Sequence, residues 1–233
     1  MASKQTQQAR FGDAAPSIRL DPMPAQTVMA PTECAERAIG VLTPSVRIMG
    51  FTKGQFSLLD LIKAVLAQIG PADLVLSTWT TGVRDADNVA FLAEKGAVRS
   101  LMLLTDRSFP TRQPKYVAAV RKAFGDASIV VTHTHAKFAL LQNEKFSIVI
   151  RSSMNLNRNP RFEQFDLDDS VPLHAFCMQH VADLFEHSEK GLVQPLDKIN
   201  ASFTAALGGG VSDVYKLPDD DVPRQPGWLS MAD

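Results

Sequence analysis

From Val46 onward, short unbroken apolar runs alternate with longer stretches in which apolar residues recur every three or four positions. The short runs are Val46–Phe51, Asp73–Thr80, Val98–Leu104 and Ser128–Val131. They are rich in aliphatic and β-branched residues, which predicts strands, the last three largely buried. Between the first two, Leu58, Leu59, Leu61, Ile62, Val65 and Leu66 form the broad apolar face of a helix. Ser57 can cap that helix and Gly70-Pro71 stops it after Ile69. Asp85 to Glu94 and Lys115 to Phe124 read as two further helices, closed by Gly96 and Gly125. Strands alternating with helices predict a mainly parallel sheet covered by helices.

The pattern changes after Val131. Lys137 to Leu141 and Phe146 to Arg151 read as two strands joined by the hairpin-like turn Gln142-Asn143-Glu144-Lys145. A polar stretch, Ser152 to Arg161, precedes a strand from Glu163 to Leu167 and an amphipathic helix from Val171 to His187. The fold class is therefore α/β, with a mixed β-sheet flanked by helices, over residues 45–190. Residues 1–44 hold five prolines and no sustained period, and read as an extended N-terminal arm. Residues 191–233 read as a C-terminal extension, partly flexible, with a hinge at Gly208-Gly209-Gly210 and an acidic tail from Leu217.

Composition narrows the class. The 45% apolar content excludes wholesale disorder, and no run of eighteen apolar residues offers a transmembrane helix. The N-terminus lacks the apolar core of a secretory signal. Cys34 and Cys177 are the only cysteines, which fits a reducing, cytoplasmic location and excludes a disulfide scaffold. The net charge of −1 conceals a partition. Residues 1–93 carry 8 Lys/Arg and 8 Asp/Glu, residues 94–161 carry 12 and 4, and residues 162–233 carry 4 and 13. The middle third, at +8, can attract a polyanion.

The chemistry concentrates in that third. Alternation places His133, His135 and Lys137 on one face of an extended segment. The hairpin returns the chain to Ser152-Ser153-Met154-Asn155, with Glu163 following. This set suits a phosphate. Lysine supplies charge, the Asn amide and Ser hydroxyl supply neutral donors, and histidine can attack phosphorus or pass a proton. His174, Cys177 and His180 stand at i, i+3 and i+6 on a helix, where the outer two diverge, so a core or surface helix is the better reading than a metal site. Trp79 reads as a core residue.

His135-x-Lys137, followed by Ser152-Ser153-Met154-Asn155 and Glu163, resembles the HKD motif of the phospholipase D superfamily. The resemblance covers roughly residues 45–190 and departs in two places. Gln142 stands where the family has aspartate, and Ser152 stands where it has glycine. One copy of the motif resembles the small bacterial and phage nucleases of the family, which pair two chains. The resemblance implies a metal-independent phosphodiesterase with no cofactor, cleaving DNA or RNA through a phosphohistidine on His135. Lys137, Ser153 and Asn155 would hold the phosphate oxygens and Glu163 would orient His135. Arg151, Arg158 and Arg161, which flank the motif, are the expected nucleic-acid contacts. The expected partners are nucleic acid, DNA before RNA, and a second copy across a twofold axis, with no membrane. Gln142 and the long ends motivate the alternative, a degenerate nucleic-acid-binding or assembly protein of a phage or mobile element.

Overall fold

A computed structural model describes residues 34–192 of the chain. Eight strands form one mixed sheet in the order β1-β7-β6-β5-β2-β3-β4-β8. Three are parallel: β2 (Ala72–Thr78), β3 (Val98–Asp106) and β4 (Ile129–Thr132). Their crossovers are helical: α3 (Val83–Glu94) between β2 and β3, and α4 (Phe109–Arg112) with α5 (Pro114–Phe124) between β3 and β4. The other half is antiparallel. β5 (Phe138–Gln142) pairs with β2, and β6 (Ser147–Ser152) follows by the hairpin. β7 (Glu163–Asp169) lies between β6 and β1 (Arg47–Thr52). The two-residue β8 (Glu189–Lys190) closes on β4.

Period-two alternation divides the sheet residues between two cores. Leu74, Leu76, Leu103, Ile129, Leu141, Ile148, Ile150 and Leu167 face the first, which is covered by α1 (Ala35–Ile39), α2 (Leu58–Ile69), α3 and α5. Val75, Leu104, Val130, Leu140 and Val149 face the second, covered by α6 (Val171–His187) through Leu173, Val181 and Phe185. α2 and α6 begin on serine caps. Ser57 and Asp60 exchange hydrogen bonds in a capping box on α2, and Ser170 accepts from Leu173 N–H on α6.

The sheet and its mixed pairing match the sequence expectation. The N-terminal arm does not extend to residue 44, because Ala35, Ile39 and Leu42 are buried in the first core. Five residues are too short for a helical period to register in the sequence. Leu192 is likewise fully buried, so the domain ends later than residue 190. The rest of the arm, the glycine hinge and the acidic tail lie outside the described residues.

Candidate functional site

The topology brings seven chain segments to one end of the sheet. β1, β2, β3, β4 and β6 end there, while β5 and β7 begin there. His135 and Lys137 precede β5, Ser153 and Asn155 follow β6, and Glu163 opens β7. Residues 133–137 are a loop rather than an extended strand. The loop is pinned at three points. Asp106 at the end of β3 accepts from Thr134 N–H, the Thr134 hydroxyl accepts from Ala136 N–H, and the buried Ser77 hydroxyl donates to Ala136 C=O at 2.8 Å.

Two pairs form within this set. Lys137 Nζ lies 3.2 Å from the His135 carbonyl oxygen and 3.4 Å from His135 Nδ1. Ser153 Oγ donates a short hydrogen bond to Glu163 and accepts from Gln164 N–H at 3.0 Å. The Glu163 carboxylate links the pairs electrostatically. Burial lowers the Lys137 pKa from its ordinary value, and Glu163 opposes that shift. Glu163 is thus bonded to Ser153 rather than to His135, which it was expected to orient. The Oδ1 atoms of Asn155 and Asn157 are buried, with no hydrogen-bond partner among the described residues. An unpartnered buried carbonyl is costly, and at a binding site a ligand or water can complete it.

The three arginines separate. Arg151 turns back along the sheet to the fully buried Asp168, bonding it at 2.6 Å while Arg47 holds the other oxygen at 2.5 Å. Arg158 donates to the backbone carbonyls of Gly54 and Gln55, tying the 153–162 loop to the turn after β1. That turn passes close to Pro160, where a Cβ on Gly54 would lie 2.7 Å from its Cα, and Gly54 also has φ +83°. Arg161 is exposed on the same loop.

Trp79, read from the sequence as core, stands instead beside His135, with ring centroids 5.5 Å apart. Arg112 lies 3.6 Å above the indole and donates to the Trp79 carbonyl at 2.9 Å and to Ser108 Oγ at 2.7 Å. Desolvation lowers the Arg112 pKa from its ordinary value, against the Asp106 charge. Burial works against the Asp106 carboxylate too. Hydrogen bonds from Ser108 and Thr134 nevertheless hold its pKa below the ordinary carboxylate value. The missed signal is topological: β2 pairs with β5, so the residue after β2 borders the loop before β5. Among the described residues, no cluster of three His, Cys, Asp or Glu side chains could hold a metal ion. No helix among them is long and apolar enough to cross a membrane.

No family model and no curated protein matches the sequence. Solved structures do. The chain is similar to Nuc from Salmonella typhimurium, a phospholipase D family member, at 15% identity and TM-score 0.44, covering 64% of this chain and 99% of that one. It is similar to NucT from Helicobacter pylori at 13% identity and TM-score 0.46, covering 63% and 100%. It is also similar to phosphatidylserine synthase from Haemophilus influenzae Rd KW20 at 12% identity and TM-score 0.45, covering 70% and 46%.

Proposed function

We propose that the chain is a phosphodiesterase of the phospholipase D type acting on nucleic acid, with His135 as the group that attacks phosphorus. The observation that carries this reading is the contact of Lys137 Nζ with His135, 3.4 Å from ring Nδ1, within electrostatic reach of the Glu163 carboxylate. An ammonium so placed can neutralise a phosphate oxygen while the imidazole reaches phosphorus. A neutral His135 that accepts from Lys137 at Nδ1 carries its proton on Nε2. When the ammonium turns to a phosphate, Nδ1 can take the proton and Nε2 becomes the nucleophile. Nε2 then bonds to phosphorus and the ester P–O bond breaks. The leaving oxygen takes a proton from the His135 of a second copy. That imidazole next accepts a proton from water, whose oxygen displaces the enzyme nitrogen and releases a phosphate monoester. Ser153 and the Asn155 amide supply neutral donors to the non-bridging oxygens.

The donor set of imidazole, ammonium, hydroxyl and amide does the work a divalent ion does elsewhere. Gln142, which motivates the non-catalytic reading, stands at the opposite end of β5. It lies five positions beyond Lys137, about 16 Å along a strand. It therefore lends that reading no support. Hydrolysis of bis(4-nitrophenyl) phosphate and of DNA should persist in EDTA. Mixing wild-type chains with His135→Ala chains should lower activity as the square of the wild-type fraction, since mixed dimers lack one imidazole. Activity abolished by EDTA and restored by magnesium, or a linear decline with verified mixed dimers, overturns the shared metal-free site.

A further inference from the structure

The second core does not extend to the sheet edge. α6 leaves the outer face of β1 uncovered, where Met49 is 60% and Phe51 54% exposed. Phe162, at the end of the loop before β7, is 71% exposed and stacks on Phe51 with centroids 5.1 Å apart and planes 16° from parallel. This stack directly precedes Glu163 in the chain, at the site end of the sheet. Exposed cations flank it just outside the two strands, Lys53 two residues after Phe51 and Arg161 immediately before Phe162. Two stacked rings left in water lose hydrophobic free energy unless something covers them. Flat rings beside cations fit a ligand that alternates flat apolar faces with negative charges.

We infer that the Phe51–Phe162 stack is a base platform, and that the substrate strand at this site is single-stranded nucleic acid. The inference rests on the phosphodiesterase reading for the position of the scissile phosphate. Phe51 covers one face of Phe162, so a base continues the stack from the other face, while Lys53 and Arg161 meet the adjoining phosphates. A duplex keeps its base faces inside and cannot engage the rings without unstacking. Stacking on an aromatic ring tolerates any base, so this contact selects strandedness and not sequence. A lipid surface is the poorer fit, because the patch is two rings and a methionine on a sheet face and not an amphipathic helix.

The test is binding of the full chain to three probes of equal strand length. These are a single-stranded oligonucleotide, the same strand with abasic sites, and its duplex. The single strand should bind roughly ten-fold tighter than either competitor. Phe162→Ala should remove that preference and leave binding of the abasic strand within about two-fold. Phe162 is a surface residue, and the abasic comparison on the unaltered protein does not depend on the variant folding. Equal affinity for abasic and normal strands overturns the inference. So does duplex bound as tightly as single strand, or binding to anionic phospholipid vesicles or self-association lost with Phe162→Ala while base preference is unchanged. If no diester is hydrolysed but the single-strand preference holds, the hydrolytic reading falls and the platform stands.

Discussion

The two ends of the sheet carry similar residue types in opposite states. At the far end, several charges are paired. Arg99 bridges Asp73 at 2.7 Å and Glu144 at 2.5 Å, Arg121 bridges Asp126 at 2.8 Å, and Arg47 meets Asp168. Asp169 accepts from the backbone N–H of Ser45 and Ser147. At the site end, Lys53, Arg107, His133, His135 and Arg161 are exposed, and Lys137 is half-buried within electrostatic reach of Glu163. Folding needs partners for charges, and the far end supplies them from within the chain. The site end leaves positive charge for something outside the chain to neutralise. Part of the +8 of the middle third, at Arg107, Lys137 and Arg161, lies where the phosphate chemistry is proposed.

The sharpest way to break this comparison is to substitute at both ends and read activity. His135→Ala should reduce diester hydrolysis at least several hundred-fold, and Lys137→Ala by about a hundred-fold or more. Both should leave thermal stability within about 0.5 kcal/mol, because neither side chain holds the core. Gln142→Asp, which introduces at the far end the aspartate of the HKD pattern, should change turnover by less than about two-fold. A ten-fold gain from Gln142→Asp would mean that the far end reaches the site through β5, and the division would fail.

Much of this division was legible in advance. β-branched runs and helical periods located every strand from β1 to β7 within two residues, because each is buried on at least one face and its pattern is strong. His135, Lys137, Ser153 and Glu163 converge because the hairpin between β5 and β6 is local, and local pairing can be read from a turn signal. Trp79, Asp106, Ser108 and Arg112 were not legible as neighbours of the site. Their placement depends on β2 pairing with β5 and β3, across long separations that no local pattern encodes. The roles of Arg151 and Arg158 were hidden for the same reason. An arginine facing a phosphate and one facing a buried aspartate have the same sequence signature.

The arginines give the next measurement. Asp168→Ala should cost about 2–3 kcal/mol of stability, since it removes a fully buried carboxylate bonded to two guanidiniums that can partly regain water. Arg151→Ala should cost about 1–2 kcal/mol, leaving Arg47 as the remaining ion-pair partner. Neither should alter the salt dependence of nucleic-acid binding. Arg161→Ala should do the reverse, keeping stability and reducing the slope of log affinity against log salt by about one. A changed slope for Arg151→Ala, measured with unchanged stability, would return that residue to the interface.

The smallest expected effect is on pH dependence, and it separates the ends by sign. Burial favours the neutral amine of Lys137, so its folded pKa lies below the ordinary lysine value, and the Glu163 carboxylate pulls it back. Turnover uses the ammonium, so activity is present below that pKa and lost as pH rises through it. Glu163→Gln keeps an acceptor for Ser153 and removes the charge. The Lys137 pKa then falls further, and the alkaline limb of the rate profile moves to lower pH. Asp126 behaves oppositely at the far end. The Arg121 hydrogen bond lowers its pKa, so it contributes stability above the unfolded carboxylate value that is lost as pH falls through the folded one. Both partners are about half exposed, so solvent screens the contribution and the slope is shallow. Asp126→Asn should flatten acid-side unfolding and leave the alkaline limb of activity where it was. Glu163→Gln should shift that limb and leave the contribution of Asp126 to acid unfolding unchanged. An alkaline limb that stays in place in Glu163→Gln would mean that Lys137 does not sense Glu163, and the placement that carries the proposed function would lose its electrostatic support.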